Sequence, residues 1–286
     1  MAKVRDMMTL QLIVNADDYG RSPNVSRGIR QAHRQGIVTS TTCMMNFANV
    51  ADDLSRALQE TPALGLGVHL VLTAERPLLP PAQLPTLTTR EGTFPRLNGF
   101  LARLDTINPA EAKAEWHAQI EKFRQLTGRN PTHLDSHHHT SYFSAGLFRA
   151  MLELAQEYHC AIRQVTAQGD NLEMAGLPPQ ILQQTRTYAP RLLAEFNPPR
   201  TTAFYTSFYD DQATQEELLR ILHALPQQGI YELMCHPGYV DADLLGSTTY
   251  ARQRERELAL LTAEAVKQAV TELNIELVEY TAVMVA

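Results

Sequence analysis

The chain has 286 residues, 44% hydrophobic and 20% charged, a globular composition that excludes global disorder and a fibrous chain. Its 25 Lys and Arg are scattered among 31 Asp and Glu for a formal charge of −6, which makes nucleic acid and anionic membranes poor partners. Cys43, Cys160 and Cys235 are an odd count without CxxC spacing, so no disulfide framework or thiolate zinc site is indicated and a cytoplasmic location is expected.

Met1 to Thr9 carries Lys3 and Arg5 but no long apolar core, and no later stretch reaches about 18 apolar residues, so neither export nor membrane spanning is expected. Leu10 to Ala16 is a short apolar run with β-branched residues, predicting a strand buried on both faces that ends at Asp17 and Asp18. Ser22 and Pro23 supply an N-cap and a first-turn proline for a helix running to Gly36. Strand-like Ile37 to Met45, helical Val50 to Leu58, strand-like Leu64 to Leu72 and helical Pro109 to Leu126 repeat the alternation. Thr132 to His137 then precedes a helix over Ala145 to Tyr158, Ala161 to Val165 is a short strand, and Phe204 to Phe208 precedes helical Gln215 to Leu225. Tyr231 to Cys235 reads as a strand, Arg252 to Leu273 as one long helix, and Ile275 to Tyr280 as a closing strand. Pro77 to Pro95 and Gln168 to Arg200 lack periodicity and read as irregular segments within a single domain, 1–286. Strands alternating with helices imply βαβ units and a mostly parallel sheet, and about seven or eight of them favour a closed or nearly closed barrel.

Polar residues suited to metal binding fall at the C-terminal ends of four predicted strands: Asp17 and Asp18, His69, Asp135 with His137 to His139, and His236. One histidine alone is more often a surface or satisfied core residue, but in parallel α/β folds those strand ends converge on one face. In HLDSHHH, a helix would make His133 and His137 a pair at i and i+4. A strand, favoured by the preceding Asn130 and Pro131 and the following Ser144, puts their backbones about 13 Å apart, too far for two imidazoles each about 2.1 Å from one ion. His137 is then the better ligand, with Asp135 or His139 on its face as support, while His138 points elsewhere. Of the adjacent acids Asp17 and Asp18, one can hold a metal while the other accepts a proton from an activated water, and NADDYG also suits a simple turn cap. His69 lies in an aliphatic strand where Gly65 and Gly67 let the backbone pass closely, so it needs a bonded or coordinated partner. His236, fixed by Pro237 and Gly238, suits a general acid or a ligand, and Cys235 reads as buried filler. Trp116, Tyr142, Phe143 and the Pro77 to Pro95 loop are candidates for stacking on a ring-bearing ligand, a role aromatic residues fill less often than core packing.

Five motifs in order, LIVNADDYG (12–20), GIVTSTTCMMN (36–46), GVHLVLT (67–73), PTHLDSHHH (131–139) and ELMCHPGYVD (232–241), resemble the YdjC-like carbohydrate deacetylases, above all the chitooligosaccharide deacetylases, over nearly the whole chain. The resemblance implies a TIM-barrel-like (β/α) barrel, metal ligands at Asp18, His69 and His137, a catalytic base at Asp17 and a proton donor to the leaving amine at His236. Arg163 matches an arginine that orients the acidic pair and, with Tyr19 and Phe143, is placed in the substrate-binding set. Ser141, where the family often has a further histidine, and Tyr19, where Phe is common, are departures expected to touch sugar contacts. The implied reaction is hydrolysis of an N-acetyl group from an N-acetylglucosamine oligosaccharide such as di-N-acetylchitobiose, free or phosphorylated. The cofactor is one divalent ion, Mg²⁺ by resemblance, although two imidazoles and a carboxylate also suit Zn²⁺ and other first-row metals. Another N-acetylated amino sugar or glycolipid, a phosphate ester or another amide, and a non-catalytic metal or sugar binder are the alternatives, and a homodimer is left open.

Overall fold

The structure, a computed structural model, describes residues 10–164 and 178–285. Strand β1 (Leu10–Tyr19) runs through the middle of the sheet and is buried from Leu12 to Tyr19, as its unbroken apolar run requires of a strand covered on both faces. Around it stand β2 (Ser40–Cys43), β3 (Gly65–Leu70), β4 (His133–Ser136), β5 (Ala161–Ile162), β6 (Ala203–Tyr205), β7 (Gly229–Cys235) and β8 (Glu276–Leu277), in the order β5-β4-β3-β2-β1-β7-β6. β8 pairs the start of β1 at Gln11 and Leu12, below the point where β2 joins at Asn15. Among the described residues every pairing is parallel, and the ends of the sheet approach each other through a bridge from Ile162 to Arg200. The result is the expected (β/α) barrel-like sheet, open rather than closed.

Helices α1 (Pro23–Gln35), α2 (Val50–Glu60), α3 (Leu97–Leu101), α4 (Pro109–Thr127), α5 (Ala145–Tyr158), α6 (Pro179–Phe196), α7 (Gln215–Ala224), α8 (Ala242–Ser247), α9 (Arg252–Leu261) and α10 (Glu264–Glu272) occupy the connections. Ser22 caps α1 by accepting the Val25 N–H, and Ser144 caps α5 by accepting that of Leu147. Each such cap contributes about 1 kcal/mol. Among the described residues no helix is long and apolar enough to cross a membrane.

Several predicted boundaries are corrected. The long C-terminal helix is two, because Ala263 takes an extended conformation (φ −65°, ψ 138°) between α9 and α10. The irregular stretch from Gln168 contains α6, whose Pro178, Pro179 and Pro190 resemble loop punctuation although Pro179 occupies the tolerated first turn. The closing strand shrinks to β8 followed by a 3₁₀ segment, Tyr280–Met284. The expectations for Met1 to Thr9, Val165 and 168–177 lie outside the described residues. The Pro-rich segment is tied to α4, whose buried Glu115 accepts the N–H groups of Leu78 and Leu79 at 2.9 and 3.0 Å.

Candidate functional site

In a regular strand Asp17 and Asp18 would face opposite sides of the sheet. The register shows why they do not: Ala16 pairs Thr41 and Tyr19 pairs Cys43, so β1 carries one extra residue in a bulge. Asp18 sits there at φ 71°, a left-handed conformation that costs a residue with a Cβ about 1–3 kcal/mol and is held by the strands on either side. The two acids thereby reach adjoining parts of one buried site.

Asp18 Oδ1 lies 3.5 Å from His69 Nε2 and 3.3 Å from His137 Nδ1, in hydrogen-bonding geometry with neither. Its Oδ2 accepts Arg254 Nη2–H at 2.5 Å. Burial raises the Asp18 carboxyl, but Arg254, then His137 and Arg21, hold it well below the usual carboxylate range. His69 Nδ1 meets Asp135 Oδ1 at 2.6 Å, leaving Nε2 to face Asp18. Burial opposes charge on His69, yet Asp135, backed by Asp17 and Asp18, lifts the ring to about 9. His137 follows β4 directly and precedes two residues in left-handed conformation, His138 (φ 54°) and His139 (φ 56°), so the chain turns sharply away from it. Ser136 Oγ braces that turn by accepting the Ser141 N–H at 3.0 Å. Asp18, His69 and His137 each offer one ligand atom, and these three atoms lie within 4.8 Å of one another. An undonated buried carboxylate oxygen between two imidazole nitrogens is a donor set that fits a divalent cation.

Asp17 lies beside this cluster with different partners. Arg163 Nη1 and Nη2 donate to its two oxygens at 2.7 and 2.6 Å, and Asn15 donates at 2.9 Å. Burial alone would raise its pKa, but the Arg163 guanidinium holds it far below the usual range, so Asp17 is ionised. His236 Nε2 is 3.9 Å from Asp17 Oδ2, and its Nδ1 has no hydrogen-bond partner. Burial presses His236 down to about 4, which leaves it a neutral imidazole at pH 7.

The structure brings Asp17, Asp18, His69, His137 and His236 together and puts other expected site residues inside the protein. Tyr19, Phe143 and Arg163 are all 0% exposed. Tyr19 donates to the Asp53 carbonyl and accepts from Arg30, Phe143 packs edge-on to Phe100, and Arg163 ties Asp17 to Asp135 (2.9 Å) and Glu232 (2.8 Å). Trp116 and Tyr142 are likewise buried, as is Ser141. Asp135 supports His69 rather than His137, since the turn after β4 breaks the alternation that would align it with His137. His138 meets Thr73 Oγ1 at 2.9 Å, and burial holds His139 neutral, down to about 3. Cys235 is buried filler whose thiol is pushed up by burial. Sequence reasoning missed Arg254, Glu257, Tyr250 and Glu232, which come from segments whose polar residues look solvent-facing or isolated in one dimension.

The family profile described as YdjC-like protein matches residues 11–272. A carbohydrate deacetylase of Brevibacillus brevis is 35% identical over 272 residues, 95% of this chain and 99% of the relative. A chitooligosaccharide deacetylase of Salmonella paratyphi B is 35% identical over 263 residues, 91% of this chain and 94% of the relative. The crystal structure of a candidate cellobiose-phosphate cleavage protein from Enterococcus faecalis aligns with a TM-score of 0.84 at 31% identity, over 96% of this chain and 98% of its own.

Proposed function

The chain belongs to the YdjC-like family, and from that premise we propose that it is a metal-dependent carbohydrate deacetylase that removes N-acetyl groups from N-acetylglucosamine oligosaccharides such as di-N-acetylchitobiose. The observation that carries this reading is an ionised acid outside the ligand set, Asp17, 3.9 Å from a histidine, beside the cluster of Asp18, His69 and His137. A protein that only held a metal or a sugar would need neither.

Asp18 Oδ1, His69 Nε2 and a nitrogen of His137 would hold the ion, Mg²⁺ by family or Zn²⁺ and its neighbours by donor softness. When bound there, it would polarise the acetyl carbonyl and lower the pKa of a water toward neutrality. Arg163 keeps Asp17 as carboxylate, and Oδ2 takes the water's proton as oxygen attacks the acetyl carbon. His236 is neutral, so at Nε2 it takes the proton that Asp17 removed from the water and hands it from that same atom to the departing nitrogen. The C–N bond breaks, and acetate and a free amine leave. Tyr19, Phe143 and Arg163 act by positioning, since none has surface to offer a sugar. The three cysteines are free and buried, which suits the reducing cytoplasm.

The test is acetate release from di-N-acetylchitobiose with each divalent metal, in the native protein and in Asp17→Asn. Loss of turnover in Asp17→Asn with metal still bound is expected. Full turnover would remove Asp17 from the role of base.

A further inference from the structure

Behind His236 lies a carboxylate that the proposed chemistry leaves unused. Glu257 of α9 is fully buried, and its Oε2 accepts the backbone N–H of His236 at 2.5 Å. Its Oε1 accepts the Tyr250 hydroxyl, whose oxygen in turn accepts the Asp210 N–H at 3.1 Å. One side chain thus ties the end of β7, the approach to α9 and the loop after β6. The tyrosine it holds stacks on Tyr209, with centroids 4.4 Å apart and planes 2° from parallel. Both rings stand 5.4 Å from the His236 imidazole, inclined to it at 64° and 62°. His236 therefore occupies a corner whose two aromatic walls and whose main chain are all referred to one carboxylate. Burial pushes Glu257 up to about 7, so keeping it there works against solvation. A glutamine would not replace it cleanly, because it has one acceptor for two donors and would turn an N–H toward one of them.

We propose that Glu257 and Tyr250 are positioning residues for His236, fixing the main chain and the ring tilt that keep Nε2 between Asp17 and the leaving nitrogen. This rests on the reading of His236 as the proton donor.

The experiment uses the full-length, metal-loaded protein and two substrates, di-N-acetylchitobiose and an aryl acetate whose phenolate departs without being protonated. Glu257→Gln should lower kcat on the amide roughly 10- to 100-fold, with KM within about twofold, since the relay is misaligned while binding is untouched. Metal affinity by calorimetry and aryl acetate turnover should both stay within about threefold, because neither uses the relay. Tyr250→Phe, which keeps the ring and removes only the hydroxyl, should show a smaller loss of the same pattern. The double variant should be no worse than Glu257→Gln, as expected of residues acting through one bond. Unchanged amide turnover in both single variants overturns the proposal, as does an equal loss on both substrates with weakened metal binding, the mark of a purely structural role. His236→Ala separates the two levels: if it keeps full amide turnover the reading of His236 itself falls, whereas its impairment beside unimpaired Glu257→Gln and Tyr250→Phe rejects only the positioning claim.

Discussion

His69 Nδ1 lies 2.6 Å from Asp135 Oδ1, and that bond decides which imidazole nitrogen faces Asp18. Asp135 is fixed in turn by Thr42 Oγ1 at 3.0 Å and Arg163 at 2.9 Å. Asp135→Asn should therefore weaken metal affinity about 10- to 100-fold, the usual effect of losing the group that orients a ligating histidine. Titration calorimetry of the purified variant checks it, and an unchanged Kd would mean that Nε2 is aimed by something else.

Metal uptake should release a proton. With no ion bound, His69 is lifted to about 9, so at pH 7 its ring carries a proton that a cation must displace. Affinity should rise with pH, by up to about tenfold per unit, until pH passes about 9. The ring is more basic folded than its ordinary 6.5, so its contribution to the stability of the metal-free protein is present in full below that pH and is lost as pH climbs through about 9. Calorimetry in buffers of different ionisation heat should show about one proton released per ion at pH 7. Heats independent of buffer would contradict this.

Arg254→Met should destabilise the metal-free protein by about 3–5 kcal/mol, because it leaves the buried Asp18 Oδ2 charged and unpaired. Added divalent metal should recover part of the loss by neutralising the same carboxylate. Denaturant unfolding with and without metal makes the comparison, and equal deficits in both would separate Arg254 from the cluster.

Gly67→Ala should cost about 1–3 kcal/mol with little change in metal stoichiometry. A Cβ there would stand 2.6 Å from the His133 ring, which is itself stacked on Tyr280 with centroids 3.5 Å apart, and 2.7 Å from the His133 carbonyl oxygen. Thermal unfolding measures it, and a neutral substitution would show that the ring has room to retreat.

The alternating pattern exposed most elements, because strands buried on both faces have to be apolar and their connecting helices amphipathic. It also pointed to the strand ends that carry Asp17, Asp18, His69, His137 and His236 as one cluster, since a parallel sheet brings those ends together; which of them hold an ion was implied by the resemblance. What one dimension could not show was local backbone geometry: the bulge that turns Asp18 depends on its pairing with β2. Arg254 and Glu257 lie in RQRERELALL, which reads as a solvent-facing helix until packing shows both buried. Burial itself was also hidden, which is why Tyr19 and Arg163, taken from the resemblance, and Phe143, taken as an aromatic candidate, were grouped for substrate binding although none has exposed surface.

The most direct test is anomalous diffraction from crystals soaked in Mn²⁺ or Zn²⁺, collected on either side of the metal edge. One peak bounded by Asp18 Oδ1, His69 Nε2 and His137, with Asp17 left on Arg163, is the expected result. A peak held by Asp17, or one away from these three side chains, would contradict it.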